Sequence, residues 1–191
     1  MRIILLGGPG SGKGTQLRRL SEALQLPSIA VGDVLRDAIA QQTRLGTSAQ
    51  PYVEKGELVP DNVMIQFMRL RLLQEDVNQG WMMEGYPRTA FQAEELDFVL
   101  SDFGQYLTTA VYLEVSEEVM RERSKARFSS GDATRSRADD TPDILQRRIQ
   151  HFRDRTIPIL EYYGARGKLL KINAEHPPDT ITQEILQKLK S

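Results

Sequence analysis

The tightest constraint on what this chain can fold into is the junction where Ile3-Ile4-Leu5-Leu6 meets Gly7-Gly8-Pro9-Gly10-Ser11-Gly12-Lys13-Gly14-Thr15. A short apolar run stops at a glycine-rich turn, and the leucines at 17, 20 and 24 then predict a helix over 15–24. Gly7, Gly12 and Lys13 fit the spacing G-x-x-x-x-G-K, the pattern of a phosphate-binding loop. Successive backbone N–H groups in such a turn make an anion-sized nest, and the N-terminus of the new helix adds its positive dipole end. Lys13 brings a full charge to the same place.

The general pattern wants Ser or Thr directly after the lysine, where a hydroxyl would hold Mg²⁺. Here Gly14 occupies that position and the hydroxyl comes one residue later, on Thr15. The resulting GGPGSGKGT resembles the loop of adenylate kinases and the related nucleoside monophosphate kinases. That resemblance implies that Gly10, Ser11, Gly12, Lys13, Gly14 and Thr15 bind ATP, with Lys13 catalytic.

Other apolar, β-rich runs stand at Trp81–Met83, Ala110–Val115 and Leu169–Ile172, with a weaker one near Ser28–Val31. Helical patterns separate them, the alternation of an α/β fold whose parallel sheet is covered on both faces. The expectation is a P-loop NTPase-type parallel five-stranded sheet flanked by helices. Thr141-Pro142 starts a helix expected to reach about Tyr163, and a final helix is expected over roughly 179–190. Two stretches fit the sheet poorly. Residues 30–59 read as short helices without a strand, an NMP-binding insertion. The polar segment around 128–140 reads as a short lid over 127–140, because a loop of that length is usually functional. The core is then 1–29, 60–126 and 141–191 of one kinase domain.

The 191 residues carry a net charge of −1, so nothing global favours nucleic acid or a membrane surface. With no cysteine there is no disulfide and no thiolate zinc site, so the zinc knuckle common in long-lid adenylate kinases is excluded. No run approaches the roughly 20 apolar residues of a membrane span. Four apolar residues at the start are too few for a secretory signal, so the cytoplasm is expected. Nothing calls for an obligate interface, and a monomer is expected.

The second strong strand ends in Met82-Met83-Glu84-Gly85-Tyr86-Pro87-Arg88-Thr89. Ligands of an open parallel sheet bind beyond the carboxyl ends of its strands, so this segment shares an edge with the glycine loop. Glu84 can hold the waters of a Mg²⁺ that bridges phosphates, and Arg88 can grip a phosphate bidentately. The segment resembles the DGFPRT stretch of adenylate kinases, with Glu84 for Asp and Tyr86 for Phe. The resemblance implies an AMP-binding segment of Gly85, Tyr86, Pro87 and Arg88, with Arg88 on the AMP phosphate and the Gly85 carbonyl on adenine. Thr89-x-x-Gln92 forms a capping box, and the Gln92 amide can also pair with an adenine edge. Val31-Gly32-Asp33-Val34-Leu35-Arg36 resembles the segment that opens the AMP-binding helices, which makes Arg36 a second phosphate clamp. Val31 stands where Thr is usual, and a lost hydroxyl weakens AMP binding roughly tenfold. Glu57, Leu58 and Val59 lie in a GELVPD stretch that resembles the closing wall of the AMP pocket.

Residues 121–155 hold ten Lys or Arg against six Asp or Glu in an otherwise neutral chain. Arg123 and Arg127 are four apart on one helix face. Arg148 flanks the stripe Leu145, Ile149, Phe152. By resemblance to short-lid adenylate kinases, Arg123 and Arg127 serve ATP, while Arg137 and Arg148 straddle the transferring phosphoryl and AMP, with Asp139-Asp140 the paired lid aspartates. Arg135 is an alternative to Arg137. The same resemblance puts a backbone carbonyl near His176 against the ATP adenine. The implied reaction is reversible phosphoryl transfer from MgATP to AMP, giving two ADP, with Mg²⁺ the only cofactor. Val31 keeps UMP, CMP or another monophosphate open as acceptor. Val31 and Glu84 together keep open a nucleotide-binding paralogue with weak turnover.

Overall fold

Continuous apolar runs become strands buried on both faces. A computed structural model describes residues 1–129 and 142–190, with the side chains of 127–129 outside the description. Its five strands are β1 (Arg2–Leu6), β2 (Ser28–Ala30), β3 (Trp81–Glu84), β4 (Thr109–Glu114) and β5 (Leu169–Asn173). They form one parallel sheet in the order β2-β3-β1-β4-β5. Ile3, Ile4, Leu5 and Leu6 of the central strand are all buried, as are Trp81, Met82 and Met83 beside them. The expected parallel α/β sheet is therefore the one observed. In register, Leu5 faces Glu84 on one side and Val111 on the other, so the loop leaving β1 emerges between the ends of β3 and β4. Chain connections change direction at that point, which opens a crevice at the carboxyl edge.

The helices are α1 (Lys13–Leu24), α2 (Val31–Ala40), α3 (Arg44–Lys55), α4 (Asp61–Leu72), α5 (Ala90–Asp102), α6 (Glu117–Ser129), α7 (Pro142–His151), α8 (Ile157–Gly164) and α9 (Pro178–Lys188). The single helix expected from residue 142 to about 163 is interrupted. Between α7 and α8 the backbone widens over Phe152–Thr156, with the Ile157 N–H donating to the Phe152 carbonyl five residues back. Pro158 explains the break, because it has no N–H for a regular helical bond and its ring would crowd the Asp154 carbonyl.

α2 and α3 meet closely enough that side-chain size is decisive. A Cβ on Gly46 would fall on the Ala38 carbonyl group, and Thr43 locks the corner by accepting from Gly46 N (3.0 Å) and donating to Ala38 O (3.2 Å). The obstacle is backbone, which cannot swing aside. Gly46→Ala is expected to cost about 3 kcal/mol and lower Tm by roughly 5–10 °C in a thermal melt. An unchanged Tm would show that this corner is looser than the geometry says. No helix among the described residues is long and apolar enough to cross a membrane. The Arg127 side chain and Arg135, Arg137, Asp139 and Asp140 lie outside the described residues.

Candidate active site

The glycine loop takes its shape from close packing. Gly10 has φ 73°, and a Cβ on it would stand 2.8 Å from the Met120 carbonyl of α6, so only glycine fits. Gly12 is the N-cap of α1 and carries no capping side chain, which leaves the first-turn N–H groups without a side-chain acceptor at the loop. The Lys13 ammonium folds back over the loop. It donates to Gly7 O (2.7 Å), Gly8 O (2.8 Å) and Ser11 Oγ (3.4 Å). A positive charge and the positive end of the α1 dipole thus meet at the loop.

Beside the loop a cleft of about 310 Å³ is lined by Gly10–Gly12, Thr15, Gln16, Arg123, His176, Pro178 and Ile181. Arg123 crosses to the β5–α9 connection and donates to Ala174 O (2.8 Å) and Glu175 O (3.2 Å). The Glu175 carboxylate accepts from Ser116 N (2.8 Å), and this bond holds its pKa below the usual carboxylate range. Gln16 is a residue that sequence reasoning missed. It is 1 % exposed, its Nε2 donates to Pro178 O (2.9 Å) and its Oε1 accepts from Thr182 Oγ1 (2.8 Å). Its signal was there to read: a polar residue one turn before Leu20, on the buried stripe of α1. Gln16→Leu is expected to cost about 1–2 kcal/mol in urea unfolding. It should also raise KM for ATP and leave KM for AMP alone; equal changes in both would detach Gln16 from the donor side.

On the other side of the loop, β3 ends in Glu84, which is 8 % exposed and makes no side-chain hydrogen bond to the described residues. The Tyr86–Pro87 peptide that follows is cis. Arg88 is held by its backbone and leaves its head group exposed. Its N–H donates to Gln92 Oε1 (2.8 Å) and its Nε to Gly85 O (2.9 Å). Gln92 Nε2 in turn donates to Asp61 Oδ1 (2.7 Å), which also accepts from Thr89 Oγ1 (3.2 Å). Thr89 Oγ1 accepts from Gln92 N at 3.1 Å, the cap expected from the sequence. Gln92 is buried, and each end of its amide has a partner within the protein.

The start of α2 closes on this segment. A Cβ on Gly85 would lie 3.5 Å from Val31 Cβ, 3.6 Å from Gly32 N and 3.8 Å from an Arg88 terminal nitrogen. Arg36 pairs with Asp33 and reaches back over Gly32. Val31, Tyr86, Pro87 and Val59 turn their side chains into the core, Leu58 is half-buried and Glu57 is exposed. Tyr86 donates to Gln92 O (3.2 Å), and burial pushes its phenol pKa up. Arg148 is half-buried on α7. Its exposed neighbour Arg147 donates to Lys55 O at 3.0 Å, and Ile144 abuts Gly56.

Residues 5–168 match the family model described as adenylate kinase. The chain belongs to that family. It is 52% identical over 189 residues to Adenylate kinase 2 of Nostoc sp. (strain PCC 7120), covering 99% of this chain and 98% of the relative. Adenylate kinase 2 of Synechocystis sp. (strain PCC 6803) is also 52% identical, over 99% and 100% of the two chains. An adenylate kinase of Stenotrophomonas maltophilia (strain K279a) is 40% identical along the full length of both. The chain is thus a phosphotransferase of the nucleoside monophosphate kinase type, and its 191 residues fit the short-lid members.

The family works with MgATP. Among the described residues no three or more His, Asp or Glu side chains gather into a cage for an ion. One buried carboxylate, Glu84, stands at the end of the strand beside β1. That donor set suits Mg²⁺, which keeps several waters and binds through one or two carboxylates plus substrate phosphates.

Proposed function

We propose that the chain carries out the reaction its family is named for, reversible transfer of the γ-phosphoryl of ATP to AMP to give two ADP. The observation that carries this reading is the pairing of β1 with β3, since the Lys13 loop and the Arg88 segment leave adjacent strands at one sheet edge. Phosphoryl transfer needs positioning and charge neutralisation more than covalent chemistry. Gly10–Thr15 would bind the ATP phosphates through backbone N–H groups, and Lys13 would exchange its bonds to Gly7 and Gly8 for the phosphates. Arg123 and the carbonyls near His176 would frame the ATP base. Arg36 and Arg88 would clamp the AMP phosphate, Gly85, Gln92 and the 57–59 segment would border its base, and Val31 and Tyr86 would back them from the core.

Arg127, Arg137 and Arg148 would neutralise the transferring group. Segment 127–140 would act as a lid that excludes water as a competing acceptor, and 30–59 as the AMP-binding insertion. Glu84 would orient the waters of a Mg²⁺ ion, which would supply further charge neutralisation to the phosphates. The enzyme would act as a cytoplasmic monomer without nucleic acid or membrane partners.

The test is incubation with MgATP and, separately, AMP, dAMP, CMP, UMP or GMP, with chromatographic quantification of products. ADP formed rapidly with AMP supports the reading. Preference for another monophosphate would move the acceptor assignment, and tight binding without turnover would overturn the activity.

A further inference from the structure

Thr156 closes the widened turn Phe152–Thr156 and is 9 % exposed, while residues 153–155 face outward. Its hydroxyl donates to the Arg88 carbonyl at 3.1 Å, across 68 residues of sequence. Both backbone polar groups of Arg88 are therefore held, its N–H by Gln92 and its carbonyl by Thr156. The other end of the same turn touches the donor loop, where a Cβ on Gly8 would stand 3.3 Å from Phe152 Cδ1. One five-residue turn thus abuts the phosphate loop through Phe152 and the acceptor arginine through Thr156. It also continues α7, whose Arg147 and Ile144 meet Lys55 and Gly56. Single π-type turns of this kind gather at functional sites, where a regular helix would aim its side chains elsewhere.

We propose that Thr156 is a positioning residue for the acceptor side: its bond to the Arg88 carbonyl sets the Arg88 head group at a fixed distance from the donor loop that Phe152 abuts. The inference rests on the assignment of Arg88 to the acceptor phosphate. Thr156 touches no nucleotide. It acts by denying the Arg88 peptide the freedom to rotate its guanidinium away from the phosphoryl acceptor, and a small displacement between reacting groups is costly to rate.

The test compares wild type, Thr156→Val and Thr156→Ser, measuring kcat and KM for AMP and ATP separately together with Tm. Valine keeps the shape and removes the hydroxyl; serine keeps the hydroxyl. Valine should lower kcat/KM for AMP roughly fivefold to tenfold, the equivalent of one lost hydrogen bond, with KM for ATP unchanged. Serine should restore AMP kinetics to within about twofold. Should the valine variant not fold, Thr156→Ala carries the same comparison. Wild-type kinetics in the hydroxyl-free variant, equal losses for both nucleotides, or failure of serine to restore would each overturn the proposal. Failure of the reading itself shows differently, as a wild-type enzyme that does not phosphorylate AMP; the comparison then runs on the acceptor it does use.

Discussion

Lys13→Met is expected to lower kcat on the order of 10³-fold while the protein remains folded. On the proposed reading, the charge removed is the one that would meet the transferring phosphoryl, and a preorganised charge of that kind contributes about that factor or more. The cost to the fold is smaller. Lys13 donates to Gly7 O and Gly8 O, and each such bond contributes about 1 kcal/mol net, against the 5–15 kcal/mol by which domains are typically stable. Methionine preserves the aliphatic stem and α1. Coupled-assay turnover and a thermal melt on the same preparation check both halves. Activity within tenfold of wild type would remove Lys13 from the catalytic site.

Arg88→Lys separates geometry from charge. The charge stays, but the planar fork goes, together with the Nε bond to Gly85 O that orients it. The expected result is a fall in kcat/KM for AMP of about 10²-fold, with KM for ATP unchanged. Because the head group is exposed, Tm should not move. Initial rates with AMP varied at saturating MgATP decide it. A lysine enzyme close to wild type would mean that any cation suffices there, and the acceptor clamp would have to be sought at Arg36.

The two segments proposed for these sites were readable before the fold was known, because each rests on local spacing. The loop needs glycines and a lysine at set offsets after a strand, and the acceptor segment needs an arginine four residues past the strand-end carboxylate. Strand positions were legible for a related reason. Both faces of a parallel sheet are covered, so β1, β3 and β4 read as unbroken apolar runs. What misled was periodicity at 142–163. The apolar stripe runs on through the region, whereas Pro158 removes a backbone donor and makes the turn widen. The contact of Arg147 with the Lys55 carbonyl was not legible at all, since an exposed basic residue on a helix looks the same whether it faces water or a distant carbonyl.

Sequence by itself determined the glycine-loop pattern, the strands, the helices other than the one broken at Phe152–Thr156, the Thr89 cap and the family, since each depends on residues a few positions apart. Only the tertiary structure decided the strand order that puts Glu84 beside Leu5, the meeting of Gly85 with Val31, and the contacts of Gln16 with Pro178 and Thr156 with Arg88. Those last partners lie 162 and 68 residues apart. A single hydrogen bond is too weak to bring such distant segments together. The buried sheet does that, and the hydroxyl and amide then find their carbonyls only because burial leaves polar groups no water to bond.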